Sequence, residues 1–128
     1  MGLNQSNEQS PLYPVICGTV ALFSQAAAIG STVLFPNAPP GVYRVSASLI
    51  VTTIGSSGNL VANLIGTDDL QAETLPIATI ASIGSTGQAN GVQILENTAT
   101  ANISYSVTAG GTFGSARFSL YLILERLF

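Results

Sequence analysis

The last twelve residues, Arg117 to Phe128 (RFSLYLILERLF), constrain the fold more than any other stretch of the chain. Phe118, Leu120, Leu122 and Leu124 recur at every second position, the period of an extended strand whose successive side chains point to opposite faces. A strand with one wet face would carry polar residues at the intervening positions. Here Tyr121, Ile123 and Leu127 stand among them, so both faces are apolar. One face belongs to the domain's own core. The other calls for a partner, and the simplest partner is a second copy of the same chain.

Composition points the same way. Only 7% of the residues are charged, against about 25% in an ordinary soluble domain. The three cations are Arg44, Arg117 and Arg126, and the chain has no lysine and no histidine. Ser, Thr, Asn, Gln and Gly must therefore solvate the surface, or other subunits must cover it. A net charge of −3 without a basic cluster argues against nucleic acid, because neutralising phosphates takes several Lys or Arg on one surface. The 128 residues fit one domain, and 47% hydrophobic content argues against disorder over most of it.

Membrane and redox signals are weak. The apolar run from Val15 to Ile29 has Glu8 and no cation before it, and Ser24 and Gln25 interrupt it, so neither a signal peptide nor a membrane span is expected. Met1-Gly2 with Ser6 matches the form of a myristoylation signal, but no polybasic patch supports it and one acyl chain anchors weakly. Cys17 is the single cysteine, expected as a small buried hydrophobe.

Along the chain, residues 1–14 form a polar, proline-punctuated segment, expected as an extended N-terminal arm. Extended segments follow at 15–23, 31–35 and 42–54, the last alternating Tyr43, Val45, Ala47, Leu49 and Val51 against Arg44, Ser46 and Ser48. Residues 25–29 between the first two are expected as a loop or bulge, and 37–41 (NAPPG) as a turn. Further strands are expected at 59–65, 74–83, 92–95 and 102–107, with 66–73 as an acidic loop and 109–115 as a flexible connection. Pro76 is tolerable at a strand start or sheet edge. About eight strands and no convincing amphipathic helix predict an all-β antiparallel sandwich over 15–128, best described as a jelly roll; an immunoglobulin-type sandwich is the alternative, without its Cys pair or Trp.

Catalytic chemistry has little to work with. Without His or Lys, a Ser or Cys nucleophile has no ordinary base, and a zinc site lacks its usual ligands. Asp68, Asp69 and Glu73 form the one acidic cluster; it offers oxygen ligands for calcium, but a solvated loop is the simpler reading. No enzyme activity, cofactor or metal is expected. Glu125 and Arg126 lie on opposite faces of the last strand, so one of them is expected to point toward a neighbour; an inter-subunit ion pair with Arg117 or Asp69 and a solvated strand end are equal readings.

Pro40-Gly-Val-Tyr-Arg-Val45, followed by the alternating 46–53, resembles a strand of the tumour-necrosis-factor and complement type of trimeric jelly roll, and Arg117–Leu124 resembles their final strand. Taken in order, Ser24–Gly30, Gly41–Val45, Asp68-Asp69, Asn102–Val107 and Leu124–Leu127 resemble small structural proteins of tailed bacteriophages across residues 15–128. Ile65-Gly66-Thr67 departs from the Trp such proteins often carry before the acidic pair. The resemblance implies a homotrimeric virion protein at the capsid surface, partnered by itself and by a major capsid or other virion protein. A decoration (cement) protein that stabilises the head shell leads; a tail- or fibre-associated receptor-binding knob and a lectin-like glycan-binding module are the alternatives. Tyr43, Tyr121, Ile123 and Leu127 are the expected oligomer contacts, and Leu12 and Tyr13 in the arm the expected capsid contacts.

Overall fold

The alternation read from the sequence becomes two stacked antiparallel sheets. The structure, a computed structural model, describes residues 13–68 and 71–128. Its strands are β1 (Val15–Gln25), β2 (Ile29–Ala38), β3 (Gly41–Thr53), β4 (Asn59–Asp68), β5 (Gln71–Ile80), β6 (Gly87–Asn97), β7 (Ala101–Gly110) and β8 (Arg117–Arg126). Among the described residues none is helical.

Sheet A has the order β1-β8-β3-β6 and sheet B the order β2-β7-β4-β5. The pairs β1·β8, β2·β7, β3·β6 and β4·β5 are all antiparallel, as in one long hairpin folded between β4 and β5. Pairing of β3 with β8 and of β4 with β7 rolls that hairpin onto itself. This is the jelly roll expected from the strand count.

The inward faces interdigitate. Tyr43, Val45, Leu49 and Val51 of β3 and Phe118, Leu120, Leu122 and Leu124 of β8 are buried against Leu60, Leu64, Ile103, Tyr105 and Val107 of sheet B. Phe113 closes one end, its ring edge-on to Phe118 at 6.1 Å. The amides around this core are satisfied locally: Asn97 Nδ2 donates to the Ala38 and Ala99 carbonyls at 3.1 and 2.9 Å.

Tyr43 departs from its expected place at an oligomer contact. It has the inward parity of β3, its ring is 0% exposed, and it belongs to the domain's own core. Its hydroxyl donates to the Pro39 carbonyl at 2.6 Å, and Phe35 packs edge-on at 6.2 Å. The guanidinium of Arg126 lies between Tyr43 and Tyr13, 6.0 and 5.8 Å from their ring centroids. Burial raises the Tyr43 hydroxyl above its ordinary value of 10.0, while the charge on Arg126 pulls it back.

Several strands are longer than the polarity of their ends suggested. Residues 66–73 were expected as a loop, yet Gly66 pairs with Glu73, Thr67 with Ala72 and Asp68 with Gln71. Polar side chains at the tip of a two-stranded ribbon reach water without breaking the ladder, so acidity there marked exposure rather than irregular backbone. Likewise Asn37, in the left-handed region at φ 50°, remains within β2, its N–H held by Asn102 Oδ1 at 2.8 Å. Pro76 lies on β5, an edge strand, beside a register shift between Ala62 and Asn63, as its missing N–H requires.

Gly91 lies within β6 where that strand passes close to β5: a Cβ there would collide with the Ile77 carbonyl oxygen. Gly91→Ala is expected to lower unfolding free energy by about 1–3 kcal/mol through overpacking, and Leu49→Ala by about 2–5 kcal/mol through cavity formation, both read from denaturant unfolding. Tyr43 adds a pH signature. With its folded value raised, its contribution is fully present below pH 10 and is lost as pH rises through the higher folded value. The alkaline fall in stability should therefore shrink in Tyr43→Phe when the two proteins are compared from pH 8 to 11.

Candidate interaction surface

The outward side of sheet A is built by the residues left over from the core pattern. Strand register sets them in rows across β1, β8, β3 and β6: Ile16, Glu125, Arg44 and Ile94, then Thr19, Ile123, Ser46 and Val92, then Ala21, Tyr121, Ser48 and Asn90. Phe23 follows on β1, its ring edge-on to Tyr121 at 5.6 Å and 76°. Tyr121 is 37% exposed and Ile123 44%, so the middle of the second face of β8 is open among the described residues. Ile16, Phe23, Val92 and Ile94 are exposed around them. A surface helix or sheet scatters such residues singly; here six share one face, the pattern of an interaction site.

Charge is nearly absent from the face. Arg44 and Glu125 are register partners on β3 and β8, and both Nε and Nη2 of Arg44 donate to Glu125 Oε1, at 3.1 and 2.9 Å. Within the chain Glu125 is paired with Arg44, while Arg117 donates to the carbonyls of Ser115 and Ala116. Glu96 adds one acid at the β6 margin.

The opposite side of the sandwich is different in kind. Outward positions of β4 and β7 in sheet B include amides and hydroxyls, with Asn63 donating to Val61 O at 3.2 Å, Ser106 Oγ at 3.3 Å and Thr108 Oγ1 at 3.4 Å. Asn63, Ser104 and Ser106 are buried, and Asn63 and Ser106 bond within the sheet, while Val33 of β2 is exposed. Most of the exposed large apolar side chains among the described residues lie on sheet A.

Other expected contacts scatter. Leu127 lies just beyond β8 and is half-buried; its N–H donates to the Val42 carbonyl at 2.7 Å, which pins the chain end to β3 rather than placing it with Tyr121 and Ile123. Tyr13 is exposed and lies against Arg126. Leu12 and Asp69 fall outside the described residues. Asp68 ends β4, and no group of three His, Cys, Asp or Glu is placed to hold a metal among the described residues. Burial raises the Cys17 thiol above 9.0, with Arg126 opposing the shift, so the thiolate is disfavoured. Arg44 was expected opposite Tyr43 and Val45, on the solvent side or in a subunit contact, and its pairing with Glu125 was not foreseen. Its odd-one-out charge among Ser46, Ser48 and Ile50 was the available signal.

No protein-family model matches the chain, and no curated protein matches it. Solved structures do. A structure of infectious bursal disease virus, Gx strain, superposes on 90% of this chain with a TM-score of 0.53 and 15% identity. That match covers 31% of the viral chain, so the present chain spans less than a third of its length. Eiger TNF from S. frugiperda superposes with a TM-score of 0.50 and 16% identity over 90% of this chain and 88% of that one. A vertex protein of PRD1 gives a TM-score of 0.49 at 9% identity, over 89% of this chain and 99% of its own. At these identities the first two likenesses establish the fold, an antiparallel jelly roll of eight strands.

Proposed function

We propose that this chain is a non-enzymatic structural protein of a virus particle: a homotrimeric capsid decoration (cement) protein that clamps and stabilises the head shell of a tailed bacteriophage. The observation that carries this reading is the exposed apolar face of sheet A, centred on Tyr121 and Ile123. Water penalises that face by roughly 25 cal/mol for each Å² of apolar surface left uncovered. Association of copies removes the penalty. The fold shared with a structure of a virus and with a TNF protein suits the same role.

In this reading the trimer sits on the capsid surface and binds assembled shell rather than free capsid subunits, so mass action shifts the assembly equilibrium toward the shell. Residues 1–14 act as the arm that reaches the capsid, with Leu12 and Tyr13 as its apolar contacts. The Tyr13–Arg126 contact fixes where that arm leaves the domain. A second reading, a receptor-binding knob of the tail or a fibre, draws support from the Phe23–Tyr121 ring pair beside Ser48 and Asn90, an arrangement able to stack and hydrogen-bond a sugar.

Light scattering of the purified protein should give three times the 13.1 kDa chain mass. Ile123→Asp should reduce it to one chain, with circular dichroism unchanged because the side chain lies outside the core. Antibody against the domain should decorate the heads of intact particles from the source of the gene. A wild-type monomer, or labelling confined to tails, would overturn the decoration reading.

A further inference from the structure

We propose that the Arg44–Glu125 pair makes the outer face of sheet A selective for a second copy of this chain, each pair completing its hydrogen bonds with the pair of the next copy. This rests on the reading of that face as an assembly surface.

The argument starts from an imbalance in the pair. Arg44 sends both Nε and Nη2 to a single carboxylate oxygen, Oε1. Among the described residues no hydrogen bond is made by Arg44 Nη1 or by Glu125 Oε2. Arg44 therefore keeps N–H donors on Nη1, and Glu125 keeps Oε2 as an acceptor, beyond the bonds that join them. In water they cost nothing, since solvent satisfies them and an exposed ion pair contributes little. Beneath a partner they lose that solvent, and a covered ion pair is tolerated only when its remaining donors and acceptors are met.

The surroundings of the pair limit what can meet them. Ile16 and Ile94 flank it in the same row, and Ile123 and Val92 stand in the next. A wholly apolar partner would fit these isoleucines but strand the donor and the acceptor. An acidic or a basic partner would satisfy one and repel the other. The matching surface is one with the same donor–acceptor couple set in the same apolar frame, and a second copy supplies it. In a cyclic assembly Nη1 of each copy reaches Oε2 of the next, so the ring closes with every charge paired. Area permits this. Four strands about 4.8 Å apart and about ten residues long give a face of roughly 600 Å², at the lower end of the roughly 600–1,000 Å² that each partner contributes to a stable interface.

The experiment compares wild type, Glu125→Gln and the exchanged pair Arg44→Glu/Glu125→Arg by sedimentation equilibrium and native mass spectrometry, with circular dichroism and thermal melting of each. Glu125→Gln should keep the fold and weaken association at least about tenfold, as loss of one member of a covered charge pair does. The exchanged pair should assemble with itself. Mixed with mass-tagged wild type, it should sort into separate assemblies, because every mixed contact sets like charges together. An assembled wild type whose Glu125→Gln form associates equally well, or which mixes statistically with the exchanged pair, would overturn this inference while leaving the assembly reading intact. A wild type that stays monomeric would overturn both. If the exchanged pair does not fold, Glu125→Gln alone decides.

Discussion

Strand β8 is the constraint on which the rest depends. It is hydrogen-bonded on both edges, to β1 and to β3, so its backbone is fully used within the sheet. Only its two faces remain. The inward one fills the core with Phe118, Leu120, Leu122 and Leu124. The outward one sets Tyr121 and Ile123 in the middle of sheet A, away from any edge where a turn or a bulge could hide them. A slip of one residue would exchange the two sets without producing a polar face, so pattern alone specifies register poorly here. Neighbouring β3 resolves it: its own alternation puts Tyr43 and Val45 inward and Arg44 and Ser46 outward, and the Arg44–Glu125 bond forms only when β8 is in register with it.

Much of this architecture was legible because strand periodicity is a local property. The alternation in β3 and β8, the Pro76 edge position and the apolar character of the second face of β8 all follow from residue type and spacing. What failed was inference from polarity or likeness without register. Residues 66–73 looked like a loop because they are acidic, but ribbon tips keep polar side chains wet while the backbone stays paired. Tyr43 was assigned to an interface by its resemblance to a strand in other jelly rolls, and its parity with Val45 places it inside. The importance of Arg44 became visible only through pairing with a residue eighty-one positions away, a relation no local window contains.

The two outer faces divide the work of a small, weakly charged domain. Sheet B sets Asn63, Ser106 and Thr108 at outward positions of β4 and β7, where they bond one another and satisfy their polar atoms without charge. Sheet A concentrates the exposed aliphatic and aromatic side chains and carries a cancelled ion pair. Apolar area supplies the tendency to associate; the ion pair supplies the choice of partner, because covered charges penalise every mismatch.

The central claim is that the outer face of sheet A is covered when copies assemble. Hydroxyl-radical footprinting at concentrations above and below assembly reads this residue by residue. The account predicts protection of Phe23, Tyr121 and Ile123 on assembly, with Val33 on sheet B unchanged. Equal labelling of Tyr121 in both states, or protection confined to sheet B, would contradict it.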